Sequence, residues 1–350
     1  MTAPARPLVL AANPIDHFYR GGDRIAALRG FAQTHEYQPE EWLGATVTRA
    51  GAEDTGIGLA RTADGEVLRD LVIADPRGWL GERSDAAWRE GDTGLLVKLL
   101  DARQRLPVHV HPGRSFAASH LDCPYGKTEA WIVLEAEPGS AFHVGWREPV
   151  DDDELARRRD AQDSAWMLAH MHRIEARRGM GVLVPAGTAH AIGAGILLAE
   201  VQEPTDFSVL LEWSVTTATR DESHLGLGFD TAMASVSAAA LDAPERLVAH
   251  TDLDAPAAGA VSLLPPAADP YFRAHRAGDG ARVEAGFAVV LALGAATIEG
   301  SGGALDVSRG AVVAVPAAFG DWRVAGAGAD LLVHRPGSGW PATLRDARIA

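Results

Sequence analysis

Residues 179–202 read GMGVLVPAGTAHAIGAGILLAEVQ, two short apolar runs separated by turns rich in glycine. Pro185 and Gly187 end the first run with a tight turn, and His190 follows that turn directly. Short apolar runs bounded by glycine and proline are typical of buried strands in a sandwich or barrel. The stretch therefore predicts a β-sandwich with a histidine at the start of one strand.

Similar runs on both sides of this stretch extend the pattern. The clearest are GLLVKLLDA (94–102), EAWIVLEAEPG (129–139) and DFSVLLEWSVTT (206–217). The segment near 151–178 differs, because it begins with acidic residues, ends with arginines and has apolar residues at helical spacing. We therefore expect an all-β-dominated chain with a helical insertion in or beside its first sandwich.

Four potential metal ligands occur in this strand-rich region. His109 and His111 lie in PVHVHP (107–112), and because side chains two positions apart on a strand share a face, both imidazoles project together. Glu129 and His190 are the other two candidates. Three imidazoles and a carboxylate suit one divalent ion, most typically zinc, with manganese, iron, cobalt and nickel also compatible. Such a site, with room for water, is typical of a catalytic metal.

The second half of the chain repeats the architecture of the first without its histidines. RGAVVAVPAAFGDWRVAGAG (309–328) keeps the apolar run, the proline and the closing turn, but has Gly320 and Asp321 near the position of His190. The segment 235–268 is rich in alanine, aspartate and proline, as expected of a connection. We expect a metal-binding catalytic domain over 1–240 and a metal-free domain over 250–350.

Composition and charge narrow the range of partners. The 350 residues include 47 acidic and 32 basic side chains, a formal charge of −15 that disfavours nucleic acids and anionic membrane surfaces. The sequence has no run of about eighteen apolar residues, so no membrane span is predicted. The single cysteine, Cys123, and the lack of a signal-peptide pattern indicate a cytoplasmic protein. We expect a small-molecule ligand and a monomer or homodimer.

These motifs resemble those of the cupin superfamily and, from about residue 8 to 335, type I mannose-6-phosphate isomerases of the short bacterial form. The matching stretches are YRGGDRI (19–25), LLVKLLDA (95–102), HVHP (109–112), GKTE (126–129), VPAGTAHAI (184–192), EVQEPTD (200–206) and TIEGSGG (297–303). The resemblance implies two cupin (jelly-roll) domains. It also implies a metal-dependent aldose–ketose isomerase that acts on a hexose or hexose phosphate by enediol proton transfer.

The resemblance also assigns roles to individual residues. The implied metal ligands are His111, Glu129 and His190. Lys127 would face the substrate, Glu200 would move the proton between C1 and C2, and Asp206 would bind substrate. A metal that polarises a carbonyl, and a carboxylate or lysine that shuttles a proton, suit this chemistry, so Glu200 and Lys127 are the expected catalytic residues. Because Glu200 lies in an apolar strand, we expect its pKa to be raised.

Two positions depart from the family. His109 stands where the family has glutamine, which leaves the preferred metal open. Leu210 stands where the family has an arginine reckoned to grip the substrate, so another cation such as Arg114 or Arg20 would have to replace it. If none does, phosphate contributes little to binding, and an unphosphorylated or otherwise modified sugar is the expected ligand.

Two other functions remain open on sequence alone. A cupin oxygenase can hold iron with three histidines and a glutamate, although there the glutamate usually follows the histidine pair within a few residues, and Glu129 comes much later. A sugar-binding cupin without activity would explain Leu210. Metal analysis with oxygen uptake, and proton exchange at C2 of a bound sugar, separate these functions from an isomerase.

Overall fold

The computed structural model describes residues 6–349, which form 22 strands and eight α-helices. The strands are β1 (Leu8–Leu10), β2 (Pro14–Ile15), β3 (Glu40–Leu43), β4 (Leu96–Ala102), β5 (His109–Val110), β6 (Glu129–Ala136), β7 (Ala141–Trp146), β8 (Met171–Glu175), β9 (Met180–Val184), β10 (His190–Ile192), β11 (Ile196–Gln202), β12 (Val209–Leu210), β13 (Val248–His250), β14 (Ala260–Ser262), β15 (Phe272–Gly278), β16 (Arg282–Val283), β17 (Ala288–Ala292), β18 (Ala296–Gly300), β19 (Gly303–Val307), β20 (Val312–Val315), β21 (Trp322–Ala325) and β22 (Asp330–Pro336). The helices are α1 (Asp23–Arg29), α2 (Leu68–Ala74), α3 (Pro76–Leu80), α4 (Arg114–His120), α5 (Asp152–Asp160), α6 (Ser164–His170), α7 (Phe229–Ala232) and α8 (Leu344–Ile349). No helix among these residues is long and apolar enough to cross a bilayer.

The strands form four antiparallel sheets. The first sandwich pairs a five-stranded sheet (β12-β5-β10-β7-β8) with a seven-stranded sheet (β13-β9-β6-β11-β4-β3-β2). The second pairs a six-stranded sheet (β1-β20-β17-β22-β15-β14) with a four-stranded sheet (β16-β21-β18-β19). The prediction of an all-β-dominated chain built from two β-sandwiches is confirmed.

Three apolar clusters lie between consecutive sheets and hold them together. Trp131 and Phe142 belong to the core of the first sandwich, and Val313 belongs to that of the second. A larger cluster joins the seven-stranded sheet to the six-stranded sheet and includes Leu99 and Val289. The two sandwiches therefore share a core, and the second covers an apolar sheet face that would otherwise contact water.

The sheets divide the chain differently from the predicted boundaries. β1 pairs with β20 in the second sandwich, although it precedes every strand of the first. β13, which begins at Val248, pairs with β9 in the first sandwich. An edge strand exposes unpaired backbone groups, so a segment from a distant part of the sequence stabilises each sandwich by pairing with its edge. The division into domains at 1–240 and 250–350 stays a prediction.

The expected helical insertion is only partly helical. α5 and α6 begin at aspartate caps, where Asp151 accepts a hydrogen bond from the Glu154 amide and Asp163 accepts one from the Trp166 amide. Residues 171–175 then form β8, the edge strand beside β7. The backbone of β8 is satisfied by hydrogen bonds to the open edge of β7. The apolar spacing of this segment could not predict that pairing, because the partner strand lies elsewhere in the sequence.

Strand alternation directs a set of charged side chains to the inner face of the seven-stranded sheet. In β4, Val97 and Leu99 contribute to the core shared with the second sandwich, so Lys98 between them points the other way. Glu200 in β11 is the direct cross-strand partner of Lys98. Glu129 opens β6, the strand on the other side of β11. This register places three charged residues on one buried face.

A close backbone approach fixes the loop that precedes β6. A Cβ added at Gly126 would lie 2.5 Å from the Pro112 carbonyl oxygen and 2.8 Å from the Arg114 amide nitrogen. The next residue, Lys127, donates its amide to the same carbonyl at 3.0 Å. The loop carrying Lys127 therefore lies tightly against the segment that contains the two closely spaced histidines.

Replacing Gly126 with alanine should destabilise the protein, because backbone atoms cannot move aside cheaply. We expect the free energy of unfolding to fall by about 1–3 kcal/mol in urea denaturation. Gly113→Ala is the matched control in the same loop pair, since its new Cβ would meet only the Ala186 Cβ at 3.9 Å. Equal unfolding free energies for the two variants would contradict the close approach.

Candidate active site

Three buried histidines converge between the sheets of the first sandwich. His109 in β5 and His190 in β10 are direct partners across adjacent strands, and His111 follows one residue after β5. The ligand atoms of the three side chains lie within 4.8 Å of one another. The pairing predicted from the sequence, with His109 and His111 beside a third histidine, is thus present in the fold.

Each imidazole is oriented by a backbone carbonyl. The Nδ1 contacts are His109 to Pro107 O (2.9 Å), His111 to Phe207 O (2.7 Å) and His190 to Thr188 O (2.8 Å). A carbonyl only accepts hydrogen bonds, so each Nδ1 carries the proton and each Nε2 presents a lone pair. This arrangement is the one that metal-binding histidines use.

Burial keeps the imidazoles of His109 and His111 neutral. It lowers the pKa of His109 well below its usual value, with further lowering from the neighbouring histidines and Lys127. Burial and Lys127 together lower the pKa of His111 to about 3. Neutral imidazoles are the form that binds metal ions.

Glu129 lies against the histidine group. Its Oε2 is 3.0 Å from His111 Nε2, and its Oε1 is 3.4 Å from His190 Nε2. Trp131 Nε1 donates to Oε1 at 3.0 Å, and Lys127 Nζ lies 3.2 Å from Oε2. Burial by itself would raise the pKa of Glu129, but Lys127 and His111 hold it well below the usual range. The carboxylate is therefore ionised.

These contacts fit a divalent cation. With the imidazole protons on Nδ1, both short contacts from Glu129 to Nε2 atoms join two acceptors, which repel each other. His190 Nε2 is also buried without a hydrogen-bond donor among the described residues. A cation bound by the three Nε2 atoms and Glu129 would turn these contacts into coordination bonds, since nitrogen and carboxylate donors suit zinc and its neighbours.

The histidine group opens into a cleft of about 460 Å³. The volume is in the range of small-molecule sites. Predicted site residues that line the cleft are His109, Lys127, Glu129, Glu200 and Asp206. Apolar residues on its walls include Phe18, Leu106, Ile192, Leu210 and Leu225. The fold therefore gathers most of the predicted site residues around one cavity.

Glu200 has the raised pKa expected from the sequence. Burial is the main cause, and the negative charge of Glu129 raises it further. Lys98 Nζ, at 3.9 Å from Glu200 Oε1, acts in the opposite direction. A carboxyl group of this kind holds its proton more readily than an exposed one and can exchange it with a ligand in the cleft.

Lys98 is a cleft residue that the sequence reasoning missed. Its Nζ lies 3.5 Å from Asp206 Oδ1, 3.7 Å from Glu40 Oε2 and 4.7 Å from the Trp42 ring centroid. The signal was present, because a charge inside the apolar run 95–102 is costly unless it is paired or used. Asp206, predicted to bind substrate, thus faces the cleft with a lysine as its neighbour.

The two arginines considered as substitutes at the substrate end do not line the cleft. Arg114 Nε donates to Glu203 Oε1 at 2.6 Å, and its guanidinium lies over the Tyr271 ring. Arg20 is exposed beside Glu36. The charge of Arg114 is thus already paired with Glu203, and its assignment to substrate binding stays a prediction.

Leu210 does line the cleft. It is the direct cross-strand partner of His109, on the side of β5 opposite His190. An apolar side chain therefore stands beside the histidine group where the sequence resemblance places an arginine. The leucine found where the family has an arginine therefore lies within the cleft.

Replacing His190 with alanine should empty the metal site. We expect the divalent metal content to fall from about one ion per chain to near zero, because the remaining ligands lose the strand-paired imidazole. Elemental analysis after dialysis measures this. His250→Ala, at an exposed position on β13, is the control and should keep its metal. Full metal content in His190→Ala would contradict the assignment.

Comparisons with known proteins find relatives that are similar to part of the sequence. No model of a protein family matches the chain. A mannose-6-phosphate isomerase of Streptococcus mutans is 30% identical over 203 residues, 58% of this chain and 59% of that protein. The mannose-6-phosphate isomerase ManA of Bacillus subtilis is 36% identical over 118 residues, 33% of this chain and 36% of that protein. The aligned regions thus span less than two thirds of these relatives.

Solved structures match over nearly the whole chain. The mannose 6-phosphate isomerase of Bacillus subtilis has a TM-score of 0.70 at 19% identity, covering 94% of this chain and 99% of that one. A mannose 6-phosphate isomerase bound with zinc and yttrium has a TM-score of 0.69 at 15% identity, covering 95% and 99%. This likeness confirms the expected two-cupin fold. Part of the chain is thus similar in sequence to mannose-6-phosphate isomerases, and nearly all of it shares their fold.

Proposed function

We propose that this protein is a metal-dependent aldose–ketose isomerase that acts on a hexose or hexose phosphate. The observation that carries the proposal is the position of Glu200, a buried carboxyl with a raised pKa in the same cleft as the histidine group. The names of the sequence relatives support the same reaction.

The proposed metal ligands are His109, His111, Glu129 and His190. A bound divalent ion, zinc by our proposal, would act there as a Lewis acid toward the sugar carbonyl. Because His109 adds a third imidazole, manganese, iron, cobalt and nickel also suit the donor set.

Glu200 supplies the proton transfer. Its carboxylate takes the proton from C2 of the aldose, and the resulting acid returns that proton to C1, which gives the ketose. Burial makes the carboxylate a stronger base than an exposed glutamate, since its raised pKa favours holding the proton. Isomerisation needs no other co-reactant, because the proton of C2 moves to C1 and the hydroxyl proton of O2 moves to O1.

Lys127 and Lys98 set the charge around this carboxyl. Lys127 Nζ lies 2.9 Å from His111 Nε2 and lines the cleft, so it can donate hydrogen bonds to sugar oxygens. Lys98 stands on the strand next to Glu200 and faces Asp206. We assign both lysines and Asp206 to substrate orientation.

The cellular setting belongs to the proposal as well. The one cysteine, Cys123, is buried, and burial raises the pKa of its thiol to about 11, so it forms little reactive thiolate. The buried thiol, as the one cysteine of the sequence, supports a cytoplasmic enzyme. We also propose that the enzyme is a monomer or homodimer.

Replacing Glu200 with glutamine should abolish turnover and leave the metal in place. We expect kcat for interconversion of mannose 6-phosphate and fructose 6-phosphate to fall about 10²–10⁴-fold, because the amide cannot accept the proton. A coupled assay of the zinc-loaded enzyme measures this, with metal content determined in parallel.

Glu135→Gln is the control, since this exposed glutamate lies on β6 beside the same strand. Activity of Glu200→Gln above one tenth of the parent enzyme would refute the assigned proton transfer. Oxygen consumption on addition of sugar would instead identify an oxygenase. Sugar binding without exchange of the C2 proton in deuterated water would identify a binding protein.

A further inference from the structure

Three permanently charged cations line the cleft within the described residues: Arg49, Lys98 and Lys127. Lys98 is shared among Glu40, Glu200 and Asp206 at 3.5–3.9 Å. Lys127 lies 3.2 Å from Glu129. Both lysines are therefore already balanced by carboxylates.

Arg49 differs from both lysines. It is half-buried, and its Nη1 donates to the Asp16 carbonyl at 2.7 Å. It forms no ion pair with a carboxylate anywhere in the part of the chain that the structure describes. A guanidinium has five donors in a planar fork, so one anchored donor leaves the rest available to a ligand.

The position of Arg49 is held by its backbone. Its amide donates to the Ile57 carbonyl at 2.9 Å, and the amide of the next residue, Ala50, donates to Asp206 Oδ2 at 3.4 Å. The Asp206 carboxylate thus joins the loop of Arg49 to Lys98. The backbone of this loop is therefore held on two sides, and the guanidinium is anchored by the Asp16 carbonyl.

The sheet order separates the strand that precedes the Arg49 loop from the strand that carries Glu129. Glu129, Glu200 and Lys98 lie on the consecutive strands β6, β11 and β4, and Arg49 follows the next strand, β3. Three strand spacings separate β6 from β3, about 14 Å. A hexose phosphate carries its reacting carbons and its phosphate at opposite ends, so it matches a site with these groups apart.

We propose that Arg49 binds the phosphate of the sugar and is the specificity-determining residue for a phosphorylated substrate. The inference rests on the proposed isomerase function. It reverses the expectation drawn from Leu210, because that expectation considered only Arg114, Arg20 and Lys127 as cations. Arg49 escaped notice because it lies in a loop without a motif, GATVTRAG (44–51).

The test compares Arg49→Gln with Arg20→Gln, a variant that removes one exposed arginine outside the cleft. We expect kcat/KM for mannose 6-phosphate to fall about 10- to 150-fold in Arg49→Gln, the range for losing a charged hydrogen-bond partner. The value for mannose should change less than twofold, and Arg20→Gln should change neither. Arg49→Lys should recover part of the loss, since lysine restores charge without the fork.

Equal losses for mannose and mannose 6-phosphate in Arg49→Gln, or no loss for either, would overturn the proposal. Melting temperatures of both variants identify a folding defect, and the Arg49→Lys comparison then decides whether charge at this position matters.

Inorganic phosphate provides a second readout that does not need turnover. Calorimetric titration of the metal-loaded protein should show phosphate binding that weakens at least tenfold in Arg49→Gln. Phosphate binding that depends on Arg49 in a protein without isomerase activity would refute the proposed function and keep this inference. Isomerase activity with phosphate recognition unchanged in Arg49→Gln would refute the inference alone.

Discussion

The cross-strand pairing of Lys98 with Glu200 is the constraint on which the site depends. Both faces of the seven-stranded sheet are buried, one against the second sandwich and one against the cleft and the five-stranded sheet. A shift of one residue between β4 and β11 would turn Lys98 into an apolar core and Leu99 into the cleft. The cost of burying an unpaired ammonium therefore favours a single register, and that register also positions Glu200.

The charged side chains that line the cleft influence one another. Five carboxylates line it, those of Glu40, Glu129, Glu200, Asp206 and Glu222, against three permanent cations. Glu129 is held ionised by its neighbours, whereas burial favours the protonated form of Glu200. Two nearby carboxyl groups with opposite pKa shifts can take different roles, one as a fixed anion and the other as a proton carrier.

The chemistry of the site could be predicted from sequence where it depends on local spacing. The alternation of His109 and His111, and the turn before His190, are short-range features that the fold preserves. Lys98 stands out in the sequence only as a charge inside an apolar run, and Arg49 does not stand out at all, because the neighbours of both come from strands and loops far along the chain. The same reason applies to the fold. Apolar runs predicted the sandwiches, but the pairing of Leu8–Leu10 with β20 depends on contacts across the whole molecule.

Glu203 links the second sandwich to the candidate site through side-chain contacts. Its Oε2 accepts a hydrogen bond from the Thr128 amide at 2.9 Å, between Lys127 and Glu129, while its Oε1 pairs with Arg114. Arg114 in turn lies over Tyr271, the residue that precedes β15 of the six-stranded sheet. If the second sandwich unfolded locally, these contacts would be lost and the loop that bears Lys127 and Glu129 could move. The half of the molecule without the histidine motif thus supports the loop of the candidate site, so unfolding of either sandwich would disturb the position of that loop.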